Sequence, residues 1–218
     1  MPPPPIVWTI VVGGGSGQRF GRPKQYEPIG DERIIDRSRR IAAEVSDGVV
    51  VVVPAADAER EAAVAGGATR SESVRAGLAH VPDDCSVICI HDAARPLASA
   101  ELFRAVIDAV RAGADGAVPG VAVSDTIKIV DPSGSVIDTP DRSTLVAVQT
   151  PQAFRASALR AAHAGAAEGT DDASLVEACG GRVVVVAGEA SNRKVTHPDD
   201  LAWVRSAIMD GVGRSAEE

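Results

Sequence analysis

The apolar positions of the chain fall into two rhythms. Continuous runs at residues 6–12 (IVWTIVV), 48–53 (GVVVVV), 86–91 (SVICIH) and 182–188 (RVVVVAG) predict strands covered on both faces, as in a parallel sheet. Between them, residues 34–45, about 57–64, 71–80, about 99–112 and most of 155–180 carry apolar residues at helical spacing. The segment THPDDLAWVRSAIM predicts a terminal helix opened by Thr196 and Pro198. Strands that alternate with helices imply an α/β fold, three-layered, Rossmann-like and built on a mostly parallel sheet. Residues 121–150 break the alternation: short apolar–polar runs flank the turn signal DPSG, which predicts a β-hairpin arm, about residues 124–150, projecting from the sheet. The arm is either a plain edge hairpin or a dimerisation element.

Length and composition set bounds on this picture. The 218 residues suit one domain with a substantial core, residues 1–218, with only the tail after Gly211 reading as loose. Aromatics are 3% of the chain, so the core is built from Val, Ala, Ile and Leu. A formal net charge of -8 argues against nucleic-acid or anionic-membrane partners, and an anionic substrate needs a local cationic pocket. The Pro-led start has no basic region and its apolar run is short, so neither a signal peptide nor a membrane span is expected, and the cytoplasm is the default. Cys85, Cys89 and Cys179 are odd in number and fit reduced thiols. Cys85, Cys89 and His91 lie close enough to suggest a metal site, but Cys89 falls inside a buried strand, where cysteine acts as a small hydrophobe.

The strongest chemical signal is VVGGGSGQRFGRPKQY at residues 11–26, with five glycines in nine residues, then Arg22 and Lys24. Glycines after a strand let backbone N–H groups approach phosphate closely. A P-loop is excluded because Lys24 stands in RPKQ rather than before Ser or Thr. A dinucleotide turn finds its acid in Asp36, yet Pro23 opposes an immediate helix and Arg19 with Lys24 exceeds the charge that turn needs. Nucleotidyl transfer fits better, because cations there stabilise charge at the α-phosphorus. Asp92 ends a strand, at the edge where open α/β sheets bind ligands, and offers Mg²⁺ an anchor. Arg95 in HDAARP, and Arg193 with Lys194 in SNRKVTHPDD, add charge. His80 and His163 fall in helical stretches and are expected at the surface, while His91 packs beside Asp92.

Seven segments in order, GGGSGQRFGRPKQY, GGATRSESVRAGL, HDAARP, VSDTIKIV, DRSTLVAVQTPQAF, TDDASLVEACG and SNRKVTHPDDLAWV, resemble the 2-C-methyl-D-erythritol 4-phosphate cytidylyltransferases, nucleotidyltransferases of the non-mevalonate isoprenoid pathway. The resemblance implies a nucleotidyltransferase fold, CTP and methylerythritol phosphate as substrates, Mg²⁺ as cofactor and a homodimer whose arm reaches the neighbouring site. It places transition-state cations at Arg19 and Lys24, the Mg²⁺ ligand at Asp92 and acceptor-phosphate cations at Arg142 and Lys194. Thr126, Arg95, Thr170 and Asp171 match other pocket positions, although Thr170 followed by acids also reads as a helix cap. Gly13, Gly14, Gly15, Gly17, Gly67 and Ser73 match the nucleotide loop and cytosine wall. The family often has alanines at Gly13 and Gly14, so a more flexible wall is expected here. The stretch between VVVVVP and GGATR is also short, so a strand there is expected to be trimmed. A ribitol-5-phosphate cytidylyltransferase, a nucleotide-sensing module without turnover and a nicotinamide dehydrogenase remain alternatives.

Overall fold

A computed structural model describes residues 6–14 and 20–214 of the chain. The apolar runs become strands β1 (Val7–Val12), β2 (Gly48–Val53), β4 (Val87–Asp92) and β10 (Val183–Ala187), joined by β3 (Val64–Ala65), β5 (Gly116–Ala122) and β9 (Gln152–Arg155). The sheet runs β10-β5-β9-β4-β1-β2-β3; β1 is parallel to β2 and β4, β2 to β3, and β5 to β10, while β9 lies antiparallel between β4 and β5.

Side chains on a strand alternate between faces, and the two cores follow that parity. Val7, Val11, Val87 and Cys89 pack with α1 (Ile34–Ala43) and α3 (Ala100–Arg111). Ile10, Ile88 and Ile90 pack with α2 (Arg70–Leu78), α4 (Ala156–Ala162) and α5 (Asp172–Ala178). The result is the three-layer α/β/α arrangement expected. Phe103 and Phe154 fill opposite faces with no exposed surface, and truncating either to alanine costs about 3–5 kcal/mol.

A third cluster stands apart. Phe20, Ile29 and Ile34 pack with Val195, Leu201 and Val204, so α6 (Pro198–Arg214) clamps the segment after the glycine loop to the segment before its own start. The helix entrance is held by Asp200, whose Oδ2 accepts from the N–H groups of Thr196 and His197; Thr196 directs its hydroxyl to the Lys194 carbonyl instead.

The chain leaves β5 into a separate two-stranded ribbon, β6 (Ile129–Val130) and β7 (Val136–Asp138), turning at Asp131–Gly134, and returns through β8 (Val146–Val148), which pairs antiparallel with β5. The helical stretch expected near residues 57–64 is absent. A 3-10 turn at Ala55–Asp57 gives way to turns in which Ala62 takes a φ of 48°, and β3 follows, cut to two residues. Alanine-rich spacing there fits a helix, but a left-handed residue stops propagation.

Candidate functional site

The parallel strands deliver their C-terminal ends to one edge. Gly13, just past β1, donates its N–H to the Val52 carbonyl at 2.7 Å; Asp92 closes β4; Gly66 and Gly67 follow β3. A cavity of about 520 Å³ opens here, lined by Gly13, Gly14, Lys24, Gln25, Gly67–Arg70, Ser73, Asp92 and Lys194, among others. Its walls are tight rather than loose. A Cβ at Gly13 would stand 3.0 Å from Ile35 Cδ1, and one at Gly14 3.1 Å from Ser73 Oγ, so neighbouring side chains already occupy the space that alanines would take. Gly67 has no alternative, because its Cβ would fall 2.3 Å from Glu72 Cβ. Glu72 closes a capping box with Thr69 at the start of α2.

Asp92 is the electrostatic centre. Its side chain is 12% exposed; Lys194 Nζ lies 2.6 Å from Oδ2 and Arg70 Nε 3.3 Å from Oδ1. Burial opposes the charge, but the fields of Arg70 and Lys194 outweigh it and hold the carboxyl well below the usual carboxylate range. Arg70 in turn donates to Asp172 at 2.7 Å, and Asp172 meets His163 Nε2 at 3.0 Å, both with side chains 1% exposed. His163 is thus a core residue, contrary to the surface position expected from its helical stretch. Asp36, the acid that suited a dinucleotide turn, is instead bound to Arg33 at 2.6 Å.

A second cavity, about 240 Å³, adjoins the first and shares Arg70, Asp92 and Lys194 with it. Arg95, Val148, Gln149, Thr150, Gln152, Thr170 and Asp171 complete its lining. Arg95 is tied by Nη1 to the Asn192 carbonyl at 2.8 Å, and burial lowers its pKa from the usual guanidinium value. The family model described as IspD, 2-C-methyl-D-erythritol 4-phosphate cytidylyltransferase, matches residues 7–210. The chain belongs to this family.

Relatives agree with that placement. The 2-C-methyl-D-erythritol 4-phosphate cytidylyltransferase of Rhodococcus jostii is 42% identical over 221 residues, 95% of this chain and 96% of that one. The bifunctional enzyme IspD/IspF of Clavibacter michiganensis is 45% identical over 229 residues, 96% of this chain but 56% of that protein, so the chain spans about half the length of such bifunctional relatives. Among solved structures, 4-diphosphocytidyl-2C-methyl-D-erythritol synthase from Anaerococcus prevotii superposes with a TM-score of 0.82 at 27% identity, covering 94% of this chain and 99% of that one.

Within this cytidylyltransferase fold, Lys24, Asp92, Lys194, Arg95, Thr170, Asp171, Gly13, Gly14, Gly67 and Ser73 all border the paired cavities. Gly15, Gly17 and Arg19 lie outside the described residues. Thr126 and Arg142 are exposed on the arm and border neither cavity; Arg142 donates to the Ser124 carbonyl at 2.6 Å. The cap of α5 is Asp171, whose Oδ1 accepts from Ser174 N–H, and not Thr170. Arg70, Thr150, Asp172 and Asn192 escaped the sequence reading although each stands inside a quoted segment. Thr150 Oγ1 accepts from the Asp92 N–H at 3.0 Å, and Asn192 Nδ2 donates to the Thr150 carbonyl at 2.9 Å.

Among the described residues no group of three acidic, His or Cys side chains could enclose a metal ion. Asp92 is the carboxylate common to both cavities, and its two oxygens are already paired, Oδ2 with Lys194 and Oδ1 with Arg70.

Proposed function

We propose that the chain transfers the cytidylyl group of CTP to 2-C-methyl-D-erythritol 4-phosphate, releasing pyrophosphate and giving 4-diphosphocytidyl-2-C-methyl-D-erythritol for isoprenoid precursor synthesis. The pair of cavities with one shared wall carries this reading. The larger, edged by Gly13, Gly14, Gly67 and Ser73, takes cytosine and ribose; the smaller takes the acceptor. The reacting α-phosphate then sits at the wall of Arg70, Asp92 and Lys194.

The chemistry asks for no general base. A phosphate monoester is largely a dianion at neutral pH and already a nucleophile. Lys24, together with Arg19, stabilises charge at the α-phosphorus, and Lys194 holds the acceptor phosphate in line. Asp92 keeps the Lys194 ammonium at the shared wall and is the residue that would hold Mg²⁺. Mg²⁺, when bound, neutralises charge on the polyphosphate.

The arm extends the reading to a homodimer. Ile129, Val130, Val136 and Ile137 are 45–63% exposed, an apolar surface that suits a second copy, and Thr126 and Arg142 on the same arm would complete the neighbour's acceptor site. No helix among the described residues is long and apolar enough to cross a membrane. Three free cysteines fit the reducing conditions of the cytoplasm.

The test is pyrophosphate release over a grid of nucleotides and acceptors. Mg²⁺-dependent release with CTP and methylerythritol phosphate is expected. No release with that pair, faster release with ribitol 5-phosphate, or thermal stabilisation by CTP without product would overturn the assignment.

A further inference from the structure

Behind the nucleotide cavity stands a charged cluster that the mechanism above does not use. Lys24, Gln25 and Tyr26 form a 3-10 turn, closed by the Glu27 N–H donating to the Lys24 carbonyl at 3.1 Å. Two guanidinium groups approach the Tyr26 ring, with Arg33 Cζ 5.5 Å and Arg60 Cζ 5.0 Å from its centroid. Its hydroxyl donates to Asp57 Oδ2 at 2.9 Å. The two arginines are held in turn: Arg60 pairs with Asp57 and with Glu61, each at 3.0 Å, and Arg33 pairs with Glu61 at 2.9 Å. The ring also packs against the main core, and Gln25 beside it is 4% exposed. Both residues that follow Lys24 are therefore fixed. Asp57, Arg60 and Glu61 all come from the short segment between β2 and β3, the one whose expected helix is absent.

Burial, with the Asp57 carboxylate second, pushes the phenol up to about 12, so Tyr26 stays a hydrogen-bond donor across the physiological range. A lysine needs such help. Its ammonium ends a flexible four-carbon stem, so its precision must come from the backbone that carries it, and a misplacement of about 1 Å can cost a hundredfold in rate.

We propose that Tyr26 is a positioning residue: gripped by Asp57, Arg33 and Arg60, it fixes the turn that presents Lys24 to the nucleotide cavity. The inference rests on Lys24 acting as a transition-state cation. Nothing in it requires Tyr26 to touch substrate.

The experiment is a double-mutant cycle in steady-state kinetics, with melting temperatures recorded alongside. Tyr26→Phe removes only the hydroxyl; kcat is expected to fall three- to tenfold with the CTP KM within twofold of wild type. Asp57→Ala is expected to match it, while Asp57→Asn, which keeps an acceptor for the phenol, retains more than half of wild-type kcat. In a Lys24→Ala background, Tyr26→Phe is expected to change kcat less than twofold. An equal fold-loss in both backgrounds overturns the clamp while leaving Lys24 catalytic. An unchanged kcat in Tyr26→Phe alone also overturns it. A Lys24→Ala variant with wild-type kcat removes instead the reading on which the clamp depends.

Discussion

Strands β4 and β7 are both apolar runs that end in aspartate, VICIHD and VID. Every residue of β4 is buried and every residue of β7 is exposed. The difference lies in what surrounds them. Helices from this chain cover both faces of β4, and strands flank both of its edges; among the described residues β7 has only β6 beside it. An apolar run ending in aspartate thus yields in one place Asp92, a carboxylate held ionised by Arg70 and Lys194, and in the other Asp138, which receives a hydrogen bond from its neighbour Thr139 N–H and faces water. A charged group acquires precise function where the fold excludes water around it. Among the described residues, nothing of this chain excludes water around β7.

The contrast breaks most sharply at Asp92. Asp92→Asn leaves two cations facing a neutral amide, and kcat/KM for pyrophosphate release is expected to fall by about 10²–10³, the scale for losing one charged partner of a transition state. It is also expected to change acid stability. The folded carboxyl titrates below its unfolded value of about 4, so its contribution is present above that pH and disappears as pH falls. Wild type should lose its advantage over Asp92→Asn on acidification below about pH 4, read as a narrowing difference in melting temperature. A constant difference would mean that the carboxylate is not held by its cations.

The two regions meet in one active site only if the arm serves a partner, and subunit mixing sharpens that. Arg142→Ala is expected to raise the acceptor KM about tenfold with CTP KM nearly unchanged, consistent with loss of one charged contact. Mixed with Lys24→Ala subunits and assayed at acceptor concentrations well below KM, it is expected to regain about a quarter of wild-type activity, because half of a random dimer population holds one intact site of two. Recovery no greater than the sum of the separate variants would assign Arg142 to its own subunit.

How much of this was legible from the chain follows the same division. Strands β1, β2 and β4 stood out because burial on both faces writes a continuous apolar run, and α1 and α3 because one buried face writes a helical period. Asp92 was visible through its place at a strand end. Arg70 was not: an arginine at the start of a helix reads as solvated, and only the fold brings it against Asp92 and Asp172 across 22 and 102 residues of sequence. His163 failed for a related reason, since a short alanine-rich helix does not reveal which side of its end meets the core. The arm's hairpin was marked by its turn, whereas its role depends on a surface that the sequence leaves unpaired.

Association is the next contrast. Ile137 is 63% exposed on β7. Ile137→Asp is expected to shift the protein toward monomer in size-exclusion chromatography and to abolish any rise of melting temperature with protein concentration, because mass action links the two. An unaltered elution volume with unaltered concentration dependence would place the interface elsewhere.

Asp138→Asn gives the smallest expected effect. Its carboxylate is exposed, and its contact with the adjacent backbone N–H survives in an amide that keeps a carbonyl oxygen. Melting temperature is expected to correspond to a change within about 0.5 kcal/mol, and kcat/KM to stay within about twofold of wild type. The same substitution at the end of β4 and at the end of β7 then differs by two to three orders of magnitude in rate. A loss at Asp138 approaching that at Asp92 would mean that a partner subunit buries and pairs this second aspartate, and β7 would then be a strand whose missing layer is supplied in trans.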